Sequence, residues 1–221
     1  MRLLGEFSKE PIDIREGEIF ELVIENQRLF RNTIEDFKFQ IDGEKGKTVL
    51  SINNTPIPIK RHVEVFESIT LFDVNTKLVL SKIHSILGDI AIDESHYLQS
   101  QELLSSIEKY FDDLGDAYGF SLDYSKMSMD AVIKAVSPRL AEDYSNALEA
   151  FIDYMDFINS IERDKLYVFI NLRSFFNDTE IKSFIDTVAL KGIRVLLIES
   201  IERNKIGSIR KLVIDSDLCE I

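Results

Sequence analysis

The residues of this chain that could bind a phosphate or a metal ion fall into three groups. Gly46-Lys47-Thr48 matches the end of the phosphate-binding loop G-x-x-x-x-G-K-[ST]. The first glycine of that motif would stand at position 41, which is Ile41. Thr48 begins a β-like run, whereas the motif needs a helix N-terminus to meet the phosphate. We therefore predict a hairpin turn at residues 42–47 in place of a nucleotide loop.

The second group is acidic and contains Asp112, Asp113, Asp116 and Asp123. Carboxylate oxygens are the ligands that hard cations such as Ca²⁺ prefer. An EF-hand loop would need acidic residues at alternating positions and a glutamate at the twelfth, which is absent here. The run predicts either a calcium site built from Asp113, Asp116 and Asp123 or a solvated acidic face, and both readings stay open.

The third group is basic and consists of Lys134 and Arg139, on either side of Pro138. They are two of the four basic residues in the strongly acidic stretch of residues 84–160. A lysine at a helix end beside carboxylates is a common structural arrangement. The alternative is that these two cations contact phosphates.

Enzyme chemistry is not expected. His62, His84 and His96 are not spaced as a metal-binding pair, and no Ser or Cys lies in a nucleophile-elbow context. The apolar run that ends at Ile170 is followed by Asn171, where a hydrolysing NTPase would place a metal-binding aspartate.

Composition indicates a folded protein without a membrane span. No apolar run approaches the ~20 residues that cross a bilayer, and the first residues lack the apolar stretch of a secretory signal. The single cysteine, Cys219, has no partner in the chain for a disulfide. A cytoplasmic location and no membrane partner are the resulting expectations.

The elements that must position these residues divide the chain by periodicity and by charge. Residues 84–160 hold 15 acidic and four basic side chains, although the whole chain has a net charge of −13. We predict an α/β head, a sheet flanked by helices with a βαβ unit near the C-terminus, formed by residues 1–73 and 162–221. An elongated α-helical leg of residues 74–161 is inserted in this head.

Local patterns predict the individual elements. Strands are expected at residues 18–25, 38–41, 48–52, 63–69 and 166–170, with a helix between the first two. Asn177 opens a helix and Gly192 closes it before another strand at 193–198. Three apolar stripes predict the long helices of the leg, and a shorter helix ends near Ser137 because Pro138 disfavours helical geometry in the residue before it.

An ordered set of short motifs resembles the Csn-two family of subtype II-A CRISPR adaptation proteins. The resemblance covers nearly the whole chain and rests on the order, the spacing and the matching length. The motifs are Glu10-Pro11-Ile12, Leu71-Phe72-Asp73-Val74-Asn75, Val132-Ile133-Lys134, Lys165-Leu166-Tyr167-Val168-Phe169-Ile170-Asn171, Val195-Leu196-Leu197-Ile198-Glu199 and Ile214-Asp215-Ser216-Asp217.

The resemblance implies a homotetrameric ring that encircles double-stranded DNA and binds its ends without reading sequence. Its implied role is spacer acquisition, beside the CRISPR integrase pair and the RNA-guided effector nuclease. Lysines that face the hole of the ring correspond to Lys134 and, by spacing, to Arg139. Calcium is the implied cofactor, although Asp123 is the only carboxylate in the matching stretch, residues 121–126.

Two other functions are compatible with the residues. A degenerate P-loop-like nucleotide-binding protein would use the βαβ unit and Gly46-Lys47-Thr48. An acidic helical scaffold would recruit basic partner proteins through the negative segment. The net charge of −13 is unfavourable for binding to DNA, which is also negatively charged. In a ring, four copies of Lys134 and Arg139 around one duplex would overcome this repulsion locally.

Overall fold

The structure, a computed structural model, describes residues 1–70, 72–144 and 146–221. Contacts divide the chain into two compact units. The α/β unit comprises Met1–Phe72 and Tyr144–Ile221, and the helical unit comprises Asp73–Asp143. The predicted fold class, an α/β domain interrupted by a helical insert, is confirmed. Leu71, the first residue of the motif at the first junction, lies outside the described residues.

Strands and helices are numbered in chain order. The strands are β1 (Arg2–Leu4), β2 (Ile12–Asp13), β3 (Ile19–Ile24), β4 (Val49–Ile52), β5 (Thr55–Ile57), β6 (Val63–Phe66), β7 (Leu166–Ile170), β8 (Val195–Glu199) and β9 (Arg210–Ile214). The helices are α1 (Gln27–Asp42), α2 (Ile59–His62), α3 (Lys77–Ala91), α4 (Tyr97–Tyr118), α5 (Met129–Val136), α6 (Ala147–Ile161) and α7 (Asp178–Lys191).

A parallel sheet in the order β6-β7-β8-β3-β9 forms the centre of the α/β unit. All six residues of β3 are buried, as expected for a strand that has neighbours on both sides and helices on both faces. Phe20 aligns with Leu196 of β8, and Leu22 aligns with Leu212 of β9. The sheet is therefore held together by pairing between residues far apart in the chain.

The predicted βαβ unit is present as β7, α7 and β8. Asn177 caps α7 with a full capping box: its side chain accepts from Glu180 N, and the Glu180 side chain accepts from Asn177 N. Gly192 ends the helix in the left-handed conformation, with φ of 66°. Strands β7 and β8 then pair in parallel, with Tyr167 opposite Val195.

The predicted hairpin at residues 42–47 is wrong. Residues 38–41 belong to α1, because alternation over four residues was too short to outweigh an apolar helical face that includes the fully buried Phe37. Helix α1 ends on Gly43, which has φ of 96°. The hairpin joins β4 to β5 instead and turns at Asn53 and Asn54, whose φ angles of 50° and 62° fit a two-residue type I′ loop.

Helix α6 belongs to the α/β unit. Its buried face includes Phe151, whose ring lies 5.0 Å from those of both Phe66 and Phe169 in the sheet. The compact helical unit accordingly ends at Asp143, whereas the boundary expected from helical periodicity was residue 161. The difference arises because periodicity identifies a helix but not the surface that its apolar face covers.

The helical unit contains α3, α4 and α5, with α5 packed against α3. The apolar stripe of α4 stays unusually open, since Leu103, Phe111 and Leu114 keep 46%, 45% and 46% of their surface exposed. The chain after α4 folds back against Gly115, where an added Cβ would lie 2.9 Å from the Phe120 carbonyl oxygen. Among the described helices of the chain, none is both long and apolar enough to cross a membrane.

Candidate functional site

Helix α5 presents Lys134 on its last turn. The Ser128 side chain caps the helix by accepting from Ala131 N, and Asp130 lies one turn before Lys134 on the same face. Lys134 Nζ donates to Asp130 Oδ2 at 2.7 Å, and the two side chains are 67% and 57% exposed. The lysine is therefore accessible and is held by one surface carboxylate.

A tight turn after α5 brings Arg139 close to Lys134. Ser137 ends the helix with φ of 51° and ψ of 57°, a left-handed conformation that a non-glycine residue adopts at a cost of about 1–2 kcal/mol. Two bonds offset this cost: Ser137 N donates to the Ile133 carbonyl, and its hydroxyl donates to the Lys134 carbonyl, each at 2.8 Å. Pro138 follows and fixes the direction of the chain.

Asn75 anchors the segment that follows Arg139. Its side-chain nitrogen donates to the Leu140 carbonyl at 3.2 Å and to Glu142 Oε1 at 2.8 Å, and its oxygen accepts from Leu140 N at 2.9 Å. Asn75 is 7% exposed, so these bonds are sheltered from water. Arg139 is placed beside this anchor, with its guanidinium 3.8 Å from the same Glu142 carboxylate.

Lys134 and Arg139 line one cavity of about 500 Å³ within the helical unit. Leu80 of α3, Ile133 of α5 and Pro138 form its apolar part. Its remaining polar lining comes from His84 and Ser137. The structure thus brings together the two basic residues that were expected to act together, and adds an apolar floor that the sequence did not indicate.

Asp130 links the two helices around this cavity. Its Oδ1 atom lies 3.4 Å from His84 Nε2, in addition to the contact with Lys134. The hydrogen bond from Lys134, with smaller charge effects from Lys134 and His84, lowers the pKa of the Asp130 carboxyl below its ordinary value. Asp130 is therefore ionised at neutral pH. Its solvent-exposed carboxylate is the anion with which Lys134 pairs.

The acidic candidates do not form a metal site within the part of the chain that the structure describes. Asp113 and Asp116 are exposed on α4, and Asp123 lies in the segment after it, where its Oδ1 accepts from Tyr124 N. No group of three Asp, Glu, His or Cys side chains in residues 1–70, 72–144 and 146–221 is arranged to hold a metal ion. The calcium cofactor therefore stays a prediction.

The amides of the Gly46-Lys47-Thr48 segment are already occupied. Lys47 N donates to Asp36 Oδ1 at 2.7 Å and Thr48 N donates to Asp36 Oδ2 at 2.8 Å. The Lys47 ammonium pairs with Glu6 at 2.7 Å. A carboxylate of the protein's own α1 thus takes the positions from which a nucleotide phosphate would be bound, which disfavours a nucleotide loop here.

Comparison with known proteins identifies the family. A family model described as CRISPR-associated protein (Cas_Csn2) matches residues 40–218, which is most of the chain. The chain belongs to the CRISPR-associated Csn2 family. A CRISPR-associated protein Csn2 from Enterococcus faecalis is 22% identical over 206 residues, covering 90% of this chain and 90% of that protein. The Csn2 membership confirms the resemblance read from the sequence motifs.

The crystal structure of Stu0660 of Streptococcus thermophilus is similar to this chain, with a TM-score of 0.59. The match covers 97% of this chain and 74% of that one, at 14% sequence identity. At this identity the likeness concerns the fold. This member of the Csn2 family therefore has an architecture that a solved structure shares over almost all of its length.

The sequence of this Csn2-family chain did not predict that Asp130, His84 and Asn75 lie at the candidate site. Asp130 stands four residues before Lys134, a spacing that signals an ion pair on a helix and could have been recognised. His84 and Asn75 are more than 45 residues from the basic turn, and no local pattern joins them to it. Only the packing of α5 on α3 and the anchoring of residues 140–142 bring them close.

Proposed function

We propose that this Csn2-family chain binds the ends of double-stranded DNA, without reading sequence, as a homotetrameric ring that supports CRISPR spacer acquisition. It acts as a binding protein and not as an enzyme. The observation that carries the proposal is the placement of Lys134 and Arg139 around one cavity, with 67% and 66% of their side chains exposed. Exposed cations close together are what a phosphate backbone requires.

The carboxylates beside these cations are compatible with DNA binding. The pairs with Asp130 and Glu142 are solvent-exposed, and exposed pairs contribute little because water screens them. A phosphate can replace either carboxylate as the partner of the cation. Releasing condensed counterions from the DNA then supplies the driving force for association.

Assembly into a ring supplies the concentration of positive charge that one chain lacks. In four symmetric copies, Lys134 and Arg139 together would place about eight cations around one duplex. The acidic side chains of the protein would face away from the DNA. The open stripe of α4 supports self-association, because Leu103, Phe111 and Leu114 are each close to half exposed. Large apolar side chains exposed along one helix are typical of a surface that another protein covers.

Further parts of the proposal follow from the family. The integrase pair and the RNA-guided effector nuclease are the proposed partners in spacer acquisition, and the cytoplasm is the proposed location. Calcium is included as an experimental variable, since the described carboxylates of a single chain do not gather around one point. A metal that bridges two copies would change the size of the assembly in solution.

The test is DNA binding as a function of salt concentration. If eight cations each neutralise one phosphate, the slope of log K against log salt is roughly −7. Replacing Lys134 and Arg139 by alanine should move this slope toward zero and weaken binding to linear duplex. The matched control is the double change Lys109→Ala and Lys126→Ala, which removes the other two cations of residues 84–160 and should leave the slope nearly unchanged.

Two further comparisons test the ring: binding of linear against closed circular duplex, and the size of the assembly with and without calcium. Linear duplex should bind and closed circular duplex of the same sequence should not, since a ring must thread over an end. Light scattering with and without calcium measures the size of the assembly in both cases. Equal affinity for both topologies would contradict threading. Full DNA binding after charge reversal at both Lys134 and Arg139 would favour an acidic scaffold for basic proteins instead.

A further inference from the structure

The cavity between α3 and α5 has a lining that suits more than a phosphate group. A site for a bare phosphate needs only cations and amide donors, and apolar surface contributes nothing to it. Here Leu80, Ile133 and Pro138 line the cavity together with its polar groups. Ile133 is 7% exposed, so the floor of the cavity is part of the packed interior between the helices.

The cations lie at the same cavity as this apolar part. Lys134 and Arg139 line it together, and both side chains are about two-thirds exposed. A ligand that fits must carry a negative charge joined to a flat or apolar body. A volume of about 500 Å³ falls in the range of about 300–1,000 Å³ that holds small ligands.

His84 adds an aromatic ring and a ring nitrogen that has no hydrogen bond. Its Nε2 atom is buried and makes no hydrogen bond in the described structure, although Asp130 Oδ1 lies 3.4 Å away. An unsatisfied buried nitrogen is costly and can be relieved by a ligand that donates to it or accepts from it. The edge of a nucleobase offers both kinds of group, and histidine rings also stack on bases.

We propose that this cavity holds one unstacked nucleotide of a DNA end, with the base against Leu80 and His84 and its phosphate between Lys134 and Arg139. The inference rests on the proposed DNA binding and adds to it a subsite for a base. Every base has a π-face, so such a site distinguishes nothing in the sequence. It does distinguish an end from an interior position, because an internal base must first be unpaired and unstacked.

The experiment uses the full-length protein and a duplex carrying 2-aminopurine, a base whose fluorescence rises when it leaves the stack. One duplex has the probe in a single-nucleotide overhang and the other has it in the middle. Binding should raise the fluorescence of the terminal probe and leave the internal one unchanged. Leu80→Phe, which fills the cavity, should abolish the rise and lower the affinity for the overhang duplex about tenfold, as expected for losing one stacked base.

A matched control lies on the same helix. Leu87→Phe makes the same change at a residue that is 36% exposed, against 37% for Leu80, and that does not line the cavity. It should keep both the fluorescence rise and the affinity. His84→Phe, which retains a ring, should keep more of the signal than His84→Ala. Circular dichroism of each variant verifies the fold.

The outcomes separate the two proposals. Normal binding of the overhang duplex without a terminal fluorescence rise would overturn the nucleotide subsite while DNA binding stands. A rise that persists in Leu80→Phe would overturn it as well. A change in oligomeric size with Leu80→Phe and no fluorescence signal from the native protein would assign the cavity to a side chain of a second copy. If the native protein binds neither duplex, the proposed DNA-binding function itself is wrong.

Discussion

At the scale of single residues, Asp130 would compete with the proposed DNA phosphate for Lys134. Its carboxylate contacts Lys134 and approaches His84, so it occupies the site as a phosphate would. The lowered pKa keeps it charged at any pH near neutrality. In the proposed function, a DNA phosphate would have to displace the Asp130 carboxylate before it could pair with Lys134.

Asp130→Asn should therefore bind DNA more tightly than the native protein. The expected gain is roughly twofold per protomer, the strength of an exposed pair one helical turn apart. The slope of log K against log salt should stay the same, because the number of phosphate contacts does not change. Gel-shift titration measures both quantities.

The control is Glu102→Gln, an equal change of charge at an exposed residue of α4 that is not the ion-pair partner of Lys134. If it raises the affinity as much as Asp130→Asn, the gain reflects overall charge and the idea of a competing carboxylate is wrong. Unequal slopes for Asp130→Asn and the native protein would contradict it too.

Glu199, at the end of β8, is a buried acid whose ionisation costs stability. Burial raises the pKa of its carboxyl to about 7, with a further rise from Glu21, while the Arg173 amide and the charges of Arg173 and Arg203 offset part of the effect. Because the pKa is raised in the folded state, Glu199 makes its full contribution to the free energy of unfolding below about pH 4.5. This contribution is lost as the pH rises to about 7.

Glu199→Gln should remove this loss, because an amide oxygen can still accept from Arg173 N. The variant should exceed the native protein in stability by up to about 3 kcal/mol at pH 8 and by much less at pH 5. Urea unfolding at the two pH values measures the difference. Glu202→Gln, at a half-exposed residue nearby, is the control and should show almost no pH-dependent gain. A constant gap between pH 5 and pH 8 for Glu199→Gln would exclude the proposed ionisation.

At the scale of elements, one buried ion pair joins β3 to the turn that follows β7. Arg173 Nη1 lies 2.6 Å from Glu21 Oε1, and both side chains are 1% exposed. The same guanidinium also donates to the Asn204 carbonyl at 2.7 Å, which ties the loop before β9 to the sheet. Removing Arg173 leaves the buried Glu21 carboxylate with only the more distant Lys211 ammonium, 4.0 Å away, to offset its charge.

Arg173→Leu should therefore lower the free energy of unfolding by about 3–5 kcal/mol. Adding Glu21→Leu to it should recover much of this loss, since the buried and poorly compensated carboxylate is then gone. Chemical denaturation of the native protein, the two single variants and the double variant provides a complete cycle. A double variant whose loss equals the sum of the two single losses would contradict a coupled pair.

Elements with strong local signals could be predicted, and those that depend on tertiary contacts could not. Strand β7 is an unbroken apolar run, and α7 carries Asn177 and Gly192 at its two ends, so both match their expected positions. Residues 38–41 were misassigned because α1 continues through a short alternating pattern. The same limit applies to the site: Lys134 and Arg139 are neighbours in the chain, whereas His84 joins them only through the packing of α3 on α5.

At the scale of the whole molecule, the open stripe of α4 indicates how copies could associate. Phe111 and Leu114 are 45% and 46% exposed, although their spacing is that of a helix with a covered face. A charge placed in such a surface would have to be desolvated on assembly. The proposed tetramer should be sensitive to it.

Phe111→Asp should shift the protein from a tetramer to smaller species in light scattering and should weaken DNA binding in parallel. Leu190→Asp is the matched control, because Leu190 lies in α7 of the α/β unit and is 87% exposed. That variant should keep the native size. A tetramer that survives Phe111→Asp would place the contact between copies elsewhere.

The position of β3 between β8 and β9 governs the order in which the chain can fold during synthesis. Both of its neighbours, β8 and β9, come from residues 195–214, whereas β3 itself ends at residue 24. A nascent chain that has not reached residue 195 carries this apolar strand with two unpaired edges. Such edges are templates for aggregation. Synthesis must therefore pass the entire helical unit and reach β8 and β9 before β3, the first strand of this sheet in the chain, is protected.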